Sequence, residues 1–167
     1  MLKLQIFDLR FDVNFYYLKR DSIVDKITFN NRTLYSKYEK VSLAPSELLI
    51  TQHLNQELIV ALPLISNNML NYIVIEYEKE STNRFYYLLK QVLKSLYIET
   101  FHTYESSKKN HVQVFIPFAN STIEEAYEII EKIEYTIEFK SNKRCKILPH
   151  KHFPEIYNKI TLPIKKM

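Results

Sequence analysis

The clearest pattern of apolar and polar positions is the run Tyr72-Ile73-Val74-Ile75-Glu76-Tyr77-Glu78. Its β-branched residues and its period of two predict a strand that is buried until its last residues. One face of this strand carries Val74, Glu76 and Glu78, and the other carries Ile73, Ile75 and Tyr77. Two carboxylates therefore stand side by side where a buried strand reaches solvent.

Two later segments have the period of a helix. Between Phe85 and Leu96 the apolar residues recur at i, i+3, i+4, i+7, i+8 and i+11, which predicts an amphipathic helix capped by Ser81 or Thr82. A capping-box sequence, Ser121-Thr122-Ile123-Glu124, predicts a second helix over about 122–134. Both helices have one apolar stripe.

Extended segments alternate with these helices. Alternation in His111–Pro117 predicts a strand with Val112, Val114 and Ile116 on its inner face. The other predicted extended segments are Tyr97–Tyr104, Cys145–Pro149 and Lys159–Ile164.

The first seventy residues have a less regular pattern. Residues 12–40 are rich in tyrosine and phenylalanine but have no sustained period, which indicates mixed strand and loop. The remaining predictions are an opening strand with Leu2, Leu4 and Ile6, a short helix from Pro45 to about Gln52, and a buried strand over Leu58–Leu64.

From Tyr72 the predicted order is strand, helix, strand, strand, helix, strand. This order predicts an α+β protein with the split βαβ core of ferredoxin-like and RNA-recognition folds, formed by residues 71–167, with residues 1–70 as an N-terminal α/β extension. Right-handed crossovers make the first and third strands antiparallel neighbours and place the fourth beside the first. Glu76, Glu78, His111 and the Arg144-Cys145 segment should then converge at one edge. Gln113 and Phe115 should lie on the same open face as the acids.

Composition narrows the class of protein. The 167 residues include no glycine, so asparagine is expected at turns with positive φ, and no glycine-rich phosphate loop is possible. The single cysteine, Cys145, cannot form an internal disulfide. No apolar run approaches the length of a membrane span. These features predict a cytoplasmic protein without a membrane partner.

Positive charge is concentrated at the C-terminal end. Residues 140–167 contain seven lysines, Arg144 and one acid, a net +7, so residues 1–139 sum to −3 in a chain of net charge +4. Such a cluster is typical of a solvated basic segment or of a surface that neutralises phosphates.

Several short motifs, taken in order, resemble the primase-polymerase domain of the archaeo-eukaryotic primase superfamily, most closely the type found in TOTE conflict systems. That domain has His-Leu-x-Gly, Tyr-Pro-Leu, a strand ending in Asp-x-Asp, a turn before His-x-Trp-x-Phe-Phe, and a closing Leu-Pro-Leu. The corresponding segments here are His53-Leu54, Ala61-Leu62-Pro63-Leu64, Ile75-Glu76-Tyr77-Glu78, Ser106 to Phe115, Ile147-Leu148-Pro149, and Lys159 to Ile164.

The resemblance implies roles for individual residues. Glu76 and Glu78 would stand at the carboxylates that bind Mg²⁺ or Mn²⁺, and His111 at the histidine that contacts the phosphates of the incoming nucleotide. The third metal carboxylate of the family would fall at about Cys145, which cannot replace it for a hard cation. A substitute from Asp8, Asp12 or Glu47 stays open. Lys108, Lys109, Arg144 and Lys146 are candidate phosphate contacts, and Phe115 is a candidate stacking platform.

Three functions remain open at this point. The chain is interpreted as a catalytically degenerate primase-like protein that binds nucleotide or nucleic acid at the Glu76, Glu78 and His111 face. The alternatives are an active metal-dependent primase or polymerase and a protein-interaction module that retains only the fold. Taken singly, the acids could equally be a solvated strand end, His111 a structural histidine, and Lys108 and Lys109 a solvated hairpin loop.

Overall fold

The computed structural model describes residues 4–119 and 121–167, and it confirms an α+β protein. Leu2 of the predicted opening strand lies outside the described residues. The helices are α1 (Glu47–Leu54), α2 (Arg84–Ser95) and α3 (Ile123–Lys140), with a 3-10 turn at Glu155–Tyr157. The strands are β1 (Leu4–Ile6), β2 (Leu9–Phe11), β3 (Tyr16–Lys19), β4 (Asp25–Phe29), β5 (Arg32–Ser36), β6 (Tyr38–Val41), β7 (Val60–Pro63), β8 (Ile65–Ser66), β9 (Met69–Leu70), β10 (Tyr72–Glu78), β11 (His102–Ser106), β12 (His111–Pro117), β13 (Lys146–Leu148), β14 (Lys159–Thr161) and β15 (Pro163–Lys166).

A five-stranded sheet in the order β13-β10-β12-β11-β15 organises the molecule. The described pairings within it are all antiparallel. β10 and β12 have the bounds that alternation predicts, and they pair along their whole length from Tyr72 opposite Pro117 to Glu78 opposite His111. β13 pairs with the other side of β10 and places Lys146 opposite Glu76. The strand that carries the two acids is therefore flanked on both sides.

The helix ends differ from the predictions for local reasons. α2 begins at Arg84 because the Glu80 carboxylate accepts the amide hydrogen of Phe85, so neither Ser81 nor Thr82 is the cap. α3 is capped by Thr122, whose hydroxyl accepts from the Glu125 amide at 3.1 Å. It continues past residue 134 to Lys140 because Ile137 extends the buried stripe. No helix in residues 4–119 and 121–167 is long and apolar enough to cross a membrane.

A second sheet, in the order β14-β7-β3-β6, joins the two ends of the chain. β14, near the C-terminus, pairs with β7, with Ile160 opposite Leu62. Two short hairpins, β4–β5 and β8–β9, turn at Asn30-Asn31 and Asn67-Asn68, and all four asparagines have positive φ. This is the geometry of two-residue primed turns, in which asparagine takes the role of glycine.

Both faces of the five-stranded sheet are covered. The helices lie over the face of Ile73, Ile75 and Tyr77, with the Tyr77 and Phe85 rings 4.7 Å apart. On the other face, the β1–β2 hairpin packs Phe11 against Tyr72 and Phe115, at ring distances of 5.2 and 6.4 Å. The end of this second face that carries Glu76 and Glu78 reaches solvent.

His53 connects α1 to the segment that follows β14. Its side chain is buried, with 1% exposed, and it bridges two backbone groups. Nδ1 accepts from the Val60 amide at 3.0 Å, so Nε2 carries the hydrogen that is donated to the Leu162 carbonyl at 2.9 Å. Burial lowers the pKa of His53 below its ordinary value, since a buried imidazolium is poorly solvated.

We expect His53 to make the fold sensitive to mild acid. Its folded pKa lies below the unfolded value of 6.5, so the unfolded chain binds the proton more readily. The stabilisation that neutral His53 gives the fold is complete above the unfolded pKa of 6.5 and is lost as the pH falls below it. Urea unfolding should show a lower free energy of unfolding at about pH 5.5 than at about pH 7.5. In His53→Asn, this difference should shrink and stability at the higher pH should fall by about 2 kcal/mol. An unchanged pH dependence in the variant would contradict the assignment.

The C-terminus of α2 places a tyrosine where glycine is usual. The Ile98 amide donates to Leu93 O at 2.9 Å and the Tyr97 amide to Lys94 O at 3.0 Å, which are the two bonds of a Schellman motif. Tyr97 therefore has φ of 61°. Its side chain is 91% exposed and makes little packing contact.

Replacement of Tyr97 by glycine should stabilise the protein. The left-handed conformation costs an L-residue about 1 kcal/mol, and glycine removes this cost without removing a buried side chain. We expect Tyr97→Gly to raise the free energy of unfolding in urea by roughly this amount. Tyr97→Ala is the matched control, because it removes the ring but keeps Cβ, and it should give no comparable gain.

Candidate functional site

The candidate residues on the sheet form a row across three neighbouring strands. β10 supplies Glu76 and Glu78 at its end, β12 supplies His111 opposite Glu78, and β13 supplies Lys146 opposite Glu76. Strands are spaced by about 4.8 Å, so the row from β12 to β13 is roughly 10 Å wide. The strand register thus brings Glu76, Glu78 and His111 together as predicted, but their neighbour on β13 is Lys146 and not the predicted Arg144-Cys145 pair. We call these four residues the polar row.

Glu76 occupies the centre of the polar row. It is half-buried, whereas Glu78 is exposed. The Gln113 amide nitrogen lies 3.4 Å from Glu76 Oε2 and also donates to the Thr161 carbonyl at 2.7 Å. Gln113 is itself fully buried, and its Oε1 has no hydrogen-bond partner among the described residues. A neutral amide therefore holds one side of the central carboxylate and links it to β14.

His111 is anchored by the hairpin loop before it. Its Nδ1 lies 2.9 Å from the Lys109 carbonyl, which can only accept, so Nδ1 carries a hydrogen. The loop is fixed by the Lys108 amide, which donates to Ser106 Oγ at 3.2 Å, and by Asn110 with φ of 60°. Lys108 and Lys109 are both exposed. The loop thus presents two cations beside a histidine held in one orientation.

The prediction that Phe115 lies on an open face is wrong. Phe115 has no exposed surface, and its ring lies 5.7 Å from the rings of both Tyr72 and Tyr104. The β1–β2 hairpin covers this part of the sheet, which the pattern of β12 alone does not reveal. Phe115 therefore belongs to the core and cannot stack on a base.

The side chain beside Glu76 on β13 is a lysine. The third carboxylate is expected at Cys145, which lies one residue before β13. The charges of Glu134 and Glu138 on α3 affect the pKa of its thiol. Burial and these two acids raise the pKa of the Cys145 thiol to about 11. By strand alternation, Lys146 shares the face of Glu76 and Cys145 does not. Where the predicted metal site needs a third carboxylate beside Glu76, β13 therefore carries a lysine.

Arg144 lies in the segment between α3 and β13. It is exposed and lines a cavity of about 510 Å³ at the end of α3, together with Glu138 and Cys145. The neighbouring Lys143 pairs with Glu80 at 3.3 Å. Arg144 thus lies next to the polar row in sequence, but the structure gives it no contact with Glu76.

The donor set does not fit a two-metal centre. Such a centre needs several carboxylates around ions about 4 Å apart. Among the described residues, no three His, Cys, Asp or Glu side chains lie close enough together to hold a metal ion. Of the open substitutes, Asp8 pairs instead with Lys166 on β15 at 2.7 Å, at the opposite edge of the sheet from β13. The described carboxylates therefore do not complete the set that two metal ions need.

Sequence reasoning missed the part of the site that β14 contributes. Lys159 lies near Lys146, and three tyrosines surround its amine. Burial raises the pKa of the Tyr38 phenol, and the negative charge of Glu76 acts in the same direction. The sequence marks Lys159 only as one lysine of a basic segment. The tyrosines come from residues without a regular period and from the segment after β13.

Comparison with known families reaches only the N-terminal part of the chain. Residues 1–71 match the model of a domain of unknown function, DUF1882. The match ends one residue before β10 begins, so the polar row lies outside it. No curated protein matches the chain. The similarity therefore describes the segment that packs on the sheet and carries no function to the site.

The orientation of Cys145 can be tested by its reactivity. A thiol whose pKa is about 11, compared with the ordinary 9.0, has about 100-fold less thiolate at pH 8. Alkylation by iodoacetamide should accordingly be about 100-fold slower in the folded protein than in urea. Glu134→Gln/Glu138→Gln should speed the folded-state reaction, whereas Glu76→Gln, on the other face, should not. A faster reaction in Glu76→Gln alone would place the thiol beside the polar row.

Proposed function

We propose that this chain is a primase-like protein that binds nucleotide or nucleic acid at the polar row without transferring nucleotides. The order β10, α2, β11, β12, α3, β13 supports a split βαβ core of the kind found in primases and RNA-recognition modules. The class of ligand and the lack of nucleotide transfer depend on different observations.

The position of Lys146 carries the proposal. In a metal-dependent transferase the residue on the strand beside Glu76 would supply an anionic oxygen. Here that residue is Lys146, which carries an ammonium group. A cation at that place competes with Mg²⁺ or Mn²⁺ for the carboxylate and attracts phosphate instead. The same substitution therefore weakens metal binding and favours an anionic ligand.

The arrangement of charges suits a ligand with both phosphates and neutral polar groups. Lysines lie at the two ends of the row, Lys108 and Lys109 on the side of His111 and Lys146 on the other, and the acids lie between them. Phosphate oxygens are attracted to the ends and repelled from the centre. Hydroxyl and amino groups can donate to Glu76 and Glu78. Nucleotides and nucleic acids combine these two kinds of group, and inorganic phosphate does not.

The lysines of the polar row and its loop should set the affinity and salt dependence of binding. We expect Lys108→Ala/Lys109→Ala to weaken binding of a labelled single-stranded oligonucleotide or nucleoside triphosphate by about tenfold. The slope of log affinity against log salt should fall by about two for the oligonucleotide. Lys146→Glu should weaken binding further, because it also adds a repulsive charge beside Glu76. Fluorescence anisotropy at several salt concentrations measures both quantities.

Lys94→Ala/Lys132→Ala is the matched control, because it removes two exposed lysines from α2 and α3 over the other face. This variant should bind as the natural protein does. Equal losses of affinity in the two double variants would indicate attraction to the overall positive charge, without a defined binding site. A folded protein without affinity for either ligand would leave the interaction module as the better interpretation. Template-dependent extension with Mn²⁺, lost in Glu76→Ala, would contradict the absence of transfer.

A further inference from the structure

Lys159 is enclosed by aromatic rings although it lies on a short strand near the C-terminus. Its Nζ lies 5.4, 5.0 and 4.9 Å from the ring centroids of Tyr17, Tyr38 and Tyr157. The amine donates to the Ile156 carbonyl at 3.0 Å. We call Lys159 and these three tyrosines the tyrosine cage. It holds a lysine in one orientation, half-buried, at the edge of the polar row.

The surroundings of the amine disfavour its charged form. No described carboxylate lies within 4.0 Å of Nζ. Burial and the charge of Lys146 on β13 lower the pKa of Lys159 to about 8, while Asp25 on β4 acts in the opposite direction. The ring faces oppose this shift, since they favour the ammonium, and the bond to the Ile156 carbonyl keeps the amine positioned when it is neutral. At about pH 7.5, roughly one Lys159 in four is neutral, against about one in a thousand for an ordinary lysine.

We propose that Lys159 is a nucleophilic amine that forms an imine with aldehydes, and that phosphorylated aldehydes are the class it takes. A lysine next to a second cation and removed from water is a recurring way to obtain a neutral, reactive amine. The fixed direction of Nζ in the tyrosine cage adds the orientation that an exposed lysine lacks.

The reaction balances with the aldehyde as the only co-reactant. The ammonium first releases a proton to solvent, and the nitrogen lone pair then attacks the carbonyl carbon while the carbonyl electrons move to oxygen. A proton moves from nitrogen to that oxygen, giving a carbinolamine. Loss of water forms the C=N bond, so one amine and one aldehyde give one imine and one water.

The tyrosine cage also contains two phenols that can supply protons in these steps. The Tyr157 hydroxyl is buried and has no hydrogen-bond partner among the described residues. The Tyr38 hydroxyl lies 3.0 Å from Thr161 Oγ1. Burial raises the pKa of both phenols, so both keep their protons at neutral pH and can donate to the carbonyl or carbinolamine oxygen.

The preference for a phosphate group rests on the proposed function, whereas the reactive amine does not. Lys146 is close enough to lower the pKa of Lys159 and lies beside the central carboxylate of the polar row. A ligand whose phosphate is held by Lys146 would bring its carbonyl to the neighbouring amine. The same aldehyde without phosphate lacks this contact.

Borohydride trapping tests both parts with the intact protein. Folded protein is treated with substoichiometric pyridoxal 5′-phosphate, reduced with borohydride and mapped by peptide mass spectrometry. We expect Lys159 to be labelled at least about tenfold more than the exposed Lys165 and Lys166. Labelling that follows exposure, with Lys159 modified no more than Lys165, overturns the proposal. Lys159→Arg should lose the dominant label and Lys165→Arg should keep it.

Pyridoxal without phosphate separates the two parts of the proposal. The ratio of Lys159 to Lys165 labelling should be higher with the phosphorylated aldehyde than with pyridoxal. Because Lys146 also lowers the pKa of Lys159, Lys146→Ala should slow labelling by both aldehydes, and a loss of the difference between them supports the phosphate contact. Equal labelling of Lys159 by both aldehydes supports the reactive amine and removes the phosphate preference, which also counts against the proposed function. Tyr157→Phe should keep the lysine in place and slow the labelling; an unchanged rate removes that phenol from the reaction.

Discussion

The packing of the β1–β2 hairpin on the five-stranded sheet is the constraint on which the rest of the structure depends. Phe11 packs against Tyr72 and Phe115, and Phe7 stacks on Tyr104 at 5.4 Å. Edge-to-face and offset contacts of this kind contribute about 0.5–1.5 kcal/mol each beyond the apolar area they bury. A sheet that would present one open face if it stood alone is thereby sealed over most of its length. The end with Glu76, Glu78, His111 and Lys146 stays at least partly exposed.

The sequence predicts the central strands well because their signal is local. β10 and β12 alternate over seven residues each, and their bounds follow from that alternation. The hairpin turns follow from the need for positive φ in a chain without glycine, since six of the nine such residues described are asparagine. β11 is less predictable, because residues 97–101 could equally extend a strand. Their course is decided by the Schellman motif that ends α2.

The site is predictable only where topology alone determines position. Antiparallel pairing brings His111 to Glu78 whatever the side chains are, so sequence reasoning finds this contact. Which of Cys145 and Lys146 faces Glu76 depends on a register of one residue, and no periodicity in a three-residue strand fixes that register. The burial of Phe115 depends on a hairpin a hundred residues away. Lys159 is recognisable only once its three tyrosines have been assembled from three separate segments.

The two sheets meet at the site itself, which ties any ligand there to the stability of the fold. Gln113 of the five-stranded sheet donates to Thr161 of the four-stranded sheet at 2.7 Å, and Tyr38 reaches the same residue from β6. Glu76 lies on one side of this junction and the tyrosine cage on the other. A ligand that contacts both would bind only when the sheets are docked, since the unfolded chain cannot assemble these groups. By linkage, its binding free energy is added to the free energy of docking.

The buried acceptor of Gln113 and the buried phenol of Tyr157, both unsatisfied in the described structure, lie on this boundary. Each such group costs about 1–3 kcal/mol, so a ligand that satisfies them gains what the folded protein alone has lost.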